Sequence, residues 1–162
     1  MGDVGPDAAI EMRMDRGTMK QSLHASKSFP LGLICSFTIQ ECTSGPSRLT
    51  LQISSKSHAL ILPDVLRTTN HSCSPNAFFN VESMTLEALK PIEEGEEITI
   101  AYWATEWSMA ESFKCECGSS ECQKSISGAK SIKGEVLRKW KLNPFIYELK
   151  KKQEEGNQCI LA

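Results

Sequence analysis

Three cysteines within eight residues constrain this chain more than any other feature. Cys115-Glu116-Cys117-Gly118-Ser119-Ser120-Glu121-Cys122 is a C-x-C-x4-C run with a turn glycine inside it. Thiols this close in sequence meet at one point with little loss of chain entropy, and a tetrahedral metal site then needs a fourth ligand. Cys73, far upstream, is the obvious donor. Any fold that uses it must bring two distant parts of the chain together. Seven cysteines, an odd number with four assignable to one cluster, read as metal in a reducing compartment rather than as a disulfide frame. Four thiolates without an open position read as structural zinc; the alternative is four unligated thiols. Cys35 and Cys42 read as small apolar fillers.

Cys73 lies inside a second unusual stretch, Asn70-His71-Ser72-Cys73-Ser74-Pro75-Asn76. Apolar, strand-like runs flank it, Ala59–Leu62 before and Ala77–Phe79 after. A polar loop between buried strands satisfies its donors and acceptors internally or with a ligand. It is either a ligand-binding turn that also supplies a thiolate or a well-capped structural turn.

Around these motifs the pattern is mostly β. Residues 22–39 predict strand, turn and strand, with Phe29-Pro30-Leu31-Gly32 as a tight turn. Leu49, Leu51 and Ile53 alternate with polar residues, the period of a half-buried strand. Residues 77–81 and 84–89 flank Glu82-Ser83 as a two-residue hairpin, and residues 96–102 form a strand ending at Tyr102. Residues 104–113 suggest a short helix. His58 reads as a surface residue or a satisfied core histidine. Residues 1–17 show no steady period and read as unstructured. Val136, Leu137 and Trp140 share one side of a helix that Asn143-Pro144 interrupts and Phe145, Ile146 and Leu149 continue. That segment caps the core or closes one wall of a ligand site.

Taken together, the complete Asn-His-Ser-Cys-x-Pro-Asn loop, the cysteine run and Ile98-Thr99-Ile100-Ala101-Tyr102 between them resemble the SET-domain protein lysine methyltransferases with a post-SET zinc cluster. The resemblance covers roughly residues 18–130. It implies a β-clip of small curved sheets with a pseudoknot and a short helical, zinc-bound C-terminal segment. Residues 18–112 would be the SET domain, 113–130 the post-SET segment and 131–162 a basic helical tail. It implies transfer of a methyl group from S-adenosylmethionine to lysine, with Tyr102 as the catalytic phenol. Lys20, Gln21, Ser22, Arg67, Asn70, His71 and Tyr102 would lie at the cofactor, and Cys73, Cys115, Cys117 and Cys122 would hold the zinc. Two departures stand out. Ala101 occupies a position where the family usually has aspartate. Lys20-Gln21-Ser22 stands where it opens with Gly-x-Gly, whose glycines let the backbone approach the cofactor. Arg67 has a second reading, an ion pair with a nearby acid, and Asn70 and His71 a second role as ties of the turn. Ile100 falls where relatives carry a Phe or Tyr that limits methylation number. Without a hydroxyl there, products beyond monomethyl-lysine are expected.

Composition leaves room for this reading. Residues 1–123 carry nine Lys/Arg against sixteen Asp/Glu, whereas residues 124–152 carry nine against two. The acidic body suits a basic, lysine-containing peptide such as a histone tail. The basic tail reads as a solvated helix face, with nucleic-acid contact as the weaker alternative. No apolar run has membrane-span length and no secretory signal opens the chain, which points to nucleus or cytoplasm. Position 6 is Pro6, which excludes a myristoylation motif, whereas Cys159-Ile160-Leu161-Ala162 after Lys150–Lys152 has the form of a prenylation signal. Two other functions stay open: a catalytically silent SET-like protein-interaction module, which the missing glycines favour, and a plain zinc-stapled structural protein.

Overall fold

The structure is a computed structural model that describes residues 9–160, with side chains through Gly156. The prenylation-like Cys159 therefore has its side chain outside the described residues. Small sheets dominate, as the sequence pattern predicts. The chain runs through β1 (Ile10–Met14), β2 (Gln21–Ala25), β3 (Gly32–Ser36), β4 (Thr38–Thr43), β5 (Leu51–Gln52), β6 (His58–Leu62), β7 (Asn70–His71), β8 (Ala77–Asn80), β9 (Thr85–Ala88) and β10 (Thr99–Ile100). It ends with β11 (Phe113–Lys114), β12 (Ser125–Ile126), the single-turn α1 (Gly134–Leu137) and α2 (Pro144–Ile160). Short 3-10 turns cover Asp64–Thr68, Tyr102–Ala104 and Ala129–Ser131.

Five strands form the central sheet in the order β3-β9-β8-β10-β7, and β4-β6-β5 form a second sheet. The central sheet carries the crossing that defines the fold. Strand β10 pairs in parallel with β7 on one side and with β8 on the other, so it inserts between the two strands that flank the Ser72–Asn76 loop. Asn76 holds the crossing in place. Its amide donates to the Glu97 carbonyl at 2.9 Å and to Glu96 at 3.0 Å, and its Oδ1 accepts from Thr99 N at 2.8 Å. Buried at 3% exposure, it meets the demand that an interior amide be fully bonded.

Several sequence expectations are corrected here. Residues 10–14, expected to be irregular, form β1, which pairs antiparallel with β2 from Ile10↔Ala25 to Met14↔Gln21. Ile10, Met12 and Met14 do alternate with Glu11 and Arg13, but both methionines are exposed and Ile10 alone packs on the core, so the segment reads as a stretch of scattered methionines. Strands β2 and β3 do not pair with each other: β3 pairs with β9. The connection between them is held instead by reciprocal bonds between Phe29 and Ile92. The hairpin after β8 spans four residues, not two. Asn80 Oδ1 accepts from the Glu82 and Ser83 amides, which substitutes for the glycine that a tighter turn requires. Strand β10 stops at Ile100, and Tyr102 opens a 3-10 turn. Residues 105–112 are not helical, because their amides go elsewhere: Trp107 N to Gln52 Oε1 and Met109 N to Ser127 O.

Two apolar clusters fill the molecule. One lies between the sheets around Leu23, Phe79, Leu86 and Ile98. The other gathers Trp103, Ile126, Leu137 and Ile146 about the cysteines. Tyr102 packs against both. Pro144 opens α2, where its missing N–H costs nothing. The preceding Asn143, fully buried, donates to the carbonyls of Phe79 and Ala104 and accepts from Val81 N at 3.0 Å. That side chain fastens the C-terminal segment to the central sheet.

Candidate active site

The four cysteines of the expected cluster converge. The sulfurs of Cys73, Cys115, Cys117 and Cys122 all lie within 4.8 Å of one another, and Cys73 Sγ is 3.8 Å from Cys115 Sγ. A zinc ion with sulfur ligands at about 2.3 Å has tetrahedral S···S edges near ~3.8 Å, so donor set and spacing fit. Gly118, at φ +74°, lets the loop turn back toward Cys122. Burial raises the Cys73 and Cys115 thiols. Burial also opposes ionisation of Cys117, but the N–H groups of Cys73 and Ser119 and the neighbouring thiols bring it down to about 6.

Next to this cluster opens a cleft of about 830 Å³, within the size range of small-molecule sites. Lys20, Gln21, Asn70, His71 and Tyr102 line it, and the loop Pro46–Leu51 and residues 109–117 border it. Tyr102 is brought there by the threaded strand. Its amide donates to His71 Nδ1 at 3.1 Å and its hydroxyl donates to Thr69 O at 3.0 Å. Burial, with the charges of Glu106 and Glu97, raises the phenol to about 12, so it stays protonated at neutral pH. His71 sits between Tyr102 and the cysteines, its Nε2 3.3 Å from Cys73 Sγ. Burial lowers its pKa to about 4, so the ring is neutral. Asn70 donates to Gln21 O at 2.9 Å and to Glu97 Oε1 at 2.8 Å, tying β7 to β2. Both ties match the structural reading of the loop, and both residues still line the cleft.

Other predicted residues are distributed differently. Arg67 borders the cleft but pairs with Asp64 at 3.0 Å and donates to Ile61 O at 3.0 Å, the ion-pair reading. Ser22 does not line the cleft. Its hydroxyl contacts Arg13 O and His24 Nε2, so the side chain is committed on the β1 side and does not obstruct the cleft. Lys20 is exposed and lines the cleft. Of the three residues replacing Gly-x-Gly, Lys20 and Gln21 therefore face the cleft region and Ser22 does not. Trp140 and Phe145 are absent from the cleft wall, which leaves them the capping role. Phe113, which sequence reasoning missed, is the aromatic at the wall, edge-on to His71 at 5.8 Å and to Tyr102 at 5.9 Å. Also missed was Glu106, whose only sequence signal is an acid four residues after Tyr102.

The SET domain family model matches residues 12–103. That is more than half of the chain, which belongs to the SET domain family. Methyltransferase flvH of Aspergillus flavus is 37% identical over 82 residues, 49% of this chain and 46% of that protein. A SET and MYND domain-containing protein of Dictyostelium discoideum is 33% identical over 84 residues, 44% of this chain and 24% of its own length. The chain thus matches half or less of these relatives. Among solved structures, the methyltransferase domain of human histone-lysine N-methyltransferase SETMAR superposes with TM-score 0.54 at 17% identity, covering 74% of this chain and 58% of that one. KRYPTONITE, in complex with mCHG DNA and SAH, gives 0.50 at 18% identity, covering 72% of this chain and 28% of its own. These two likenesses are of fold.

Proposed function

We propose that this protein is an S-adenosylmethionine-dependent protein lysine N-methyltransferase with one structural zinc. The observation that carries the reading is the placement of Tyr102. A phenol held neutral, with its hydrogen given to Thr69 O, lines a cleft large enough for a cofactor. The SAH complex of KRYPTONITE and the naming of flvH as a methyltransferase support the same chemistry. When bound, the cofactor supplies an electron-poor methyl group on a sulfonium.

The chain's own residues do the rest. Ile100 and the Tyr102 ring give the cleft apolar walls that desolvate an incoming lysine and favour its neutral form. The Tyr102 oxygen and the Thr69 carbonyl place partial negative charge where positive charge develops. His71, bonded to the Tyr102 amide, sets the position of that phenol. Lys20 and Asn70 hold the adenosyl ligand, and the four cysteines hold zinc that fixes the wall bearing Phe113. The substrate class is a basic, lysine-containing protein segment, histone tails among them, in a reducing compartment.

The test is incubation with labelled S-adenosylmethionine and mixed basic proteins. Wild type transfers label, and Tyr102→Phe, which keeps the ring, loses roughly 10²-fold or more in rate. Calorimetry with S-adenosylhomocysteine gives binding in both. Binding of basic peptide without cofactor binding or transfer by the wild type selects the silent interaction module instead.

A further inference from the structure

Four carboxylates line the cleft, and three are accounted for. Glu111 pairs with Arg48 at 2.6 Å, Glu97 accepts from Asn70, and Glu116 is exposed. Glu106 is different. Its side chain is only 12% exposed, and the residue is part of the cleft lining. Oε1 accepts from Gln52 N at 2.8 Å, while Oε2 lies 3.3 Å from Nε2 of His58. That nitrogen is at ion-pair distance but outside hydrogen-bonding geometry and has no other partner, although His58 is buried. Two titratable side chains thus face each other behind the cleft, one with an unused nitrogen. The backbone of Glu106 is joined to that of Tyr102, since Glu106 N donates to Tyr102 O at 2.8 Å.

We propose that Glu106, backed by His58, is the proton acceptor for the substrate amine, an inference that rests on the methyltransferase reading. The lysine arrives as an ammonium and must lose one proton before its nitrogen attacks. The N–H bond breaks, the proton moves to the Glu106 carboxylate, and the electron pair stays on nitrogen. That pair forms the N–C bond as the C–S bond breaks, the sulfur keeping the C–S electrons and becoming neutral. The proton on Glu106 has a second resting place across 3.3 Å, on Nε2 of His58. Tyr102 is unsuited to this role, because its hydroxyl is a donor to Thr69 O.

The groups facing Glu106 define the pH dependence. They are His58 from β6, the Tyr102 phenol from the adjoining turn and the Gln52 amide from β5. Arg48 and Glu111 neutralise each other at the border of the cleft. Burial, opposed by the Gln52 N–H, raises Glu106 to about 7, and burial lowers His58. A raised carboxyl is protonated below that value, so the acceptor is lost as pH falls through 7.

The experiment is the rate against pH with labelled S-adenosylmethionine and core histones, for wild type, Glu106→Gln and His58→Leu. Wild type shows an acid limb near pH 7. Glu106→Gln, which keeps an acceptor for Gln52 N, falls roughly 10²-fold at neutral pH with KM little changed and recovers as pH approaches the amine's own pKa. His58→Leu moves the acid limb to lower pH, because the protonated carboxyl loses the unprotonated nitrogen that shares its proton. As a readout apart from activity, the carbon-13 signal of the residue 106 carboxyl in the free protein titrates near neutrality and shifts in His58→Leu. A Glu106→Gln profile that superimposes on wild type, or a residue 106 carboxyl that titrates near 4, overturns the proposal while leaving the methyltransferase reading intact. A wild type that transfers no label at any pH overturns both.

Discussion

Single side chains decide what the cleft can do. Ile100 is 4% exposed, lines the cleft two residues before Tyr102 and presents only carbon. A tyrosine there would hold a water against the amine, crowding a methylated product; isoleucine leaves that volume open. The expected outcome is di- or trimethyl-lysine in long reactions, read by mass spectrometry of the acceptor, with Ile100→Tyr shifting product toward monomethyl-lysine. Accumulation of monomethyl-lysine alone by wild type would contradict this. At this scale much was legible beforehand. The four cysteines and Tyr102 lie in motifs whose spacing reflects local chemistry. Glu106 and His58 were illegible, because their significance comes from 48 residues of separation closed by the β5-β6 sheet, and no local pattern encodes it. Phe113 was missed for a similar reason, since a single aromatic beside a cysteine run carries no period.

Elements show where local sequence and tertiary demand part. The pattern over residues 96–102 predicts a seven-residue strand, but only Thr99 and Ile100 form β10, since the chain must turn to bring the Tyr102 hydroxyl to Thr69 O. β1 has the period-two pattern Ile10, Met12, Met14, but five residues beside an aperiodic start are too short a signal, and only pairing with β2 makes it a strand. The turn at Gly128 shows how tightly such irregular pieces are fitted. Gly128 has φ +108°, and a Cβ there would stand 2.5 Å from Trp107 O and 3.0 Å from Glu106 O. The next two amides, Ala129 N and Lys130 N, donate to those same two carbonyls. Gly128→Ala therefore forces the 106–107 backbone away from its partners and is expected to lower unfolding free energy by about 2–4 kcal/mol, measured by urea denaturation. Gly118→Ala, at φ +74° with open space around it, is the comparison: about 1 kcal/mol, from backbone strain alone. Equal losses at the two sites would show that contact with residues 106–107 contributes nothing.

Across the whole molecule, two apolar clusters share Val81 and Tyr102, and polar and sulfur-bearing side chains add further ties between the parts of the chain that build them. Asn143 bonds the C-terminal segment to Phe79 and Val81, Tyr102 packs into both clusters, and Cys73 brings the loop of the central sheet to Cys115 and Cys117. The segment from Phe113 to Ile126 has little strand of its own, two residues on each side. We propose that its stability comes mainly from cross-linking, which the four cysteines supply once a metal displaces their protons and binds them as thiolates. Left without one, burial keeps the Cys73 and Cys115 thiols protonated, so those two offer no charge to draw the loop closed. Purified protein is therefore expected to carry one zinc per chain by atomic emission. Cys117→Ser should lose the metal and lower the melting temperature by about 10 °C or more. Chelation of wild type should reproduce the loss and also abolish S-adenosylhomocysteine binding, because Phe113 and residues 115–117 form part of the cleft border. A metal-free wild type with an unchanged melting temperature and intact ligand binding would show that the Phe113–Ile126 segment holds its place by packing alone.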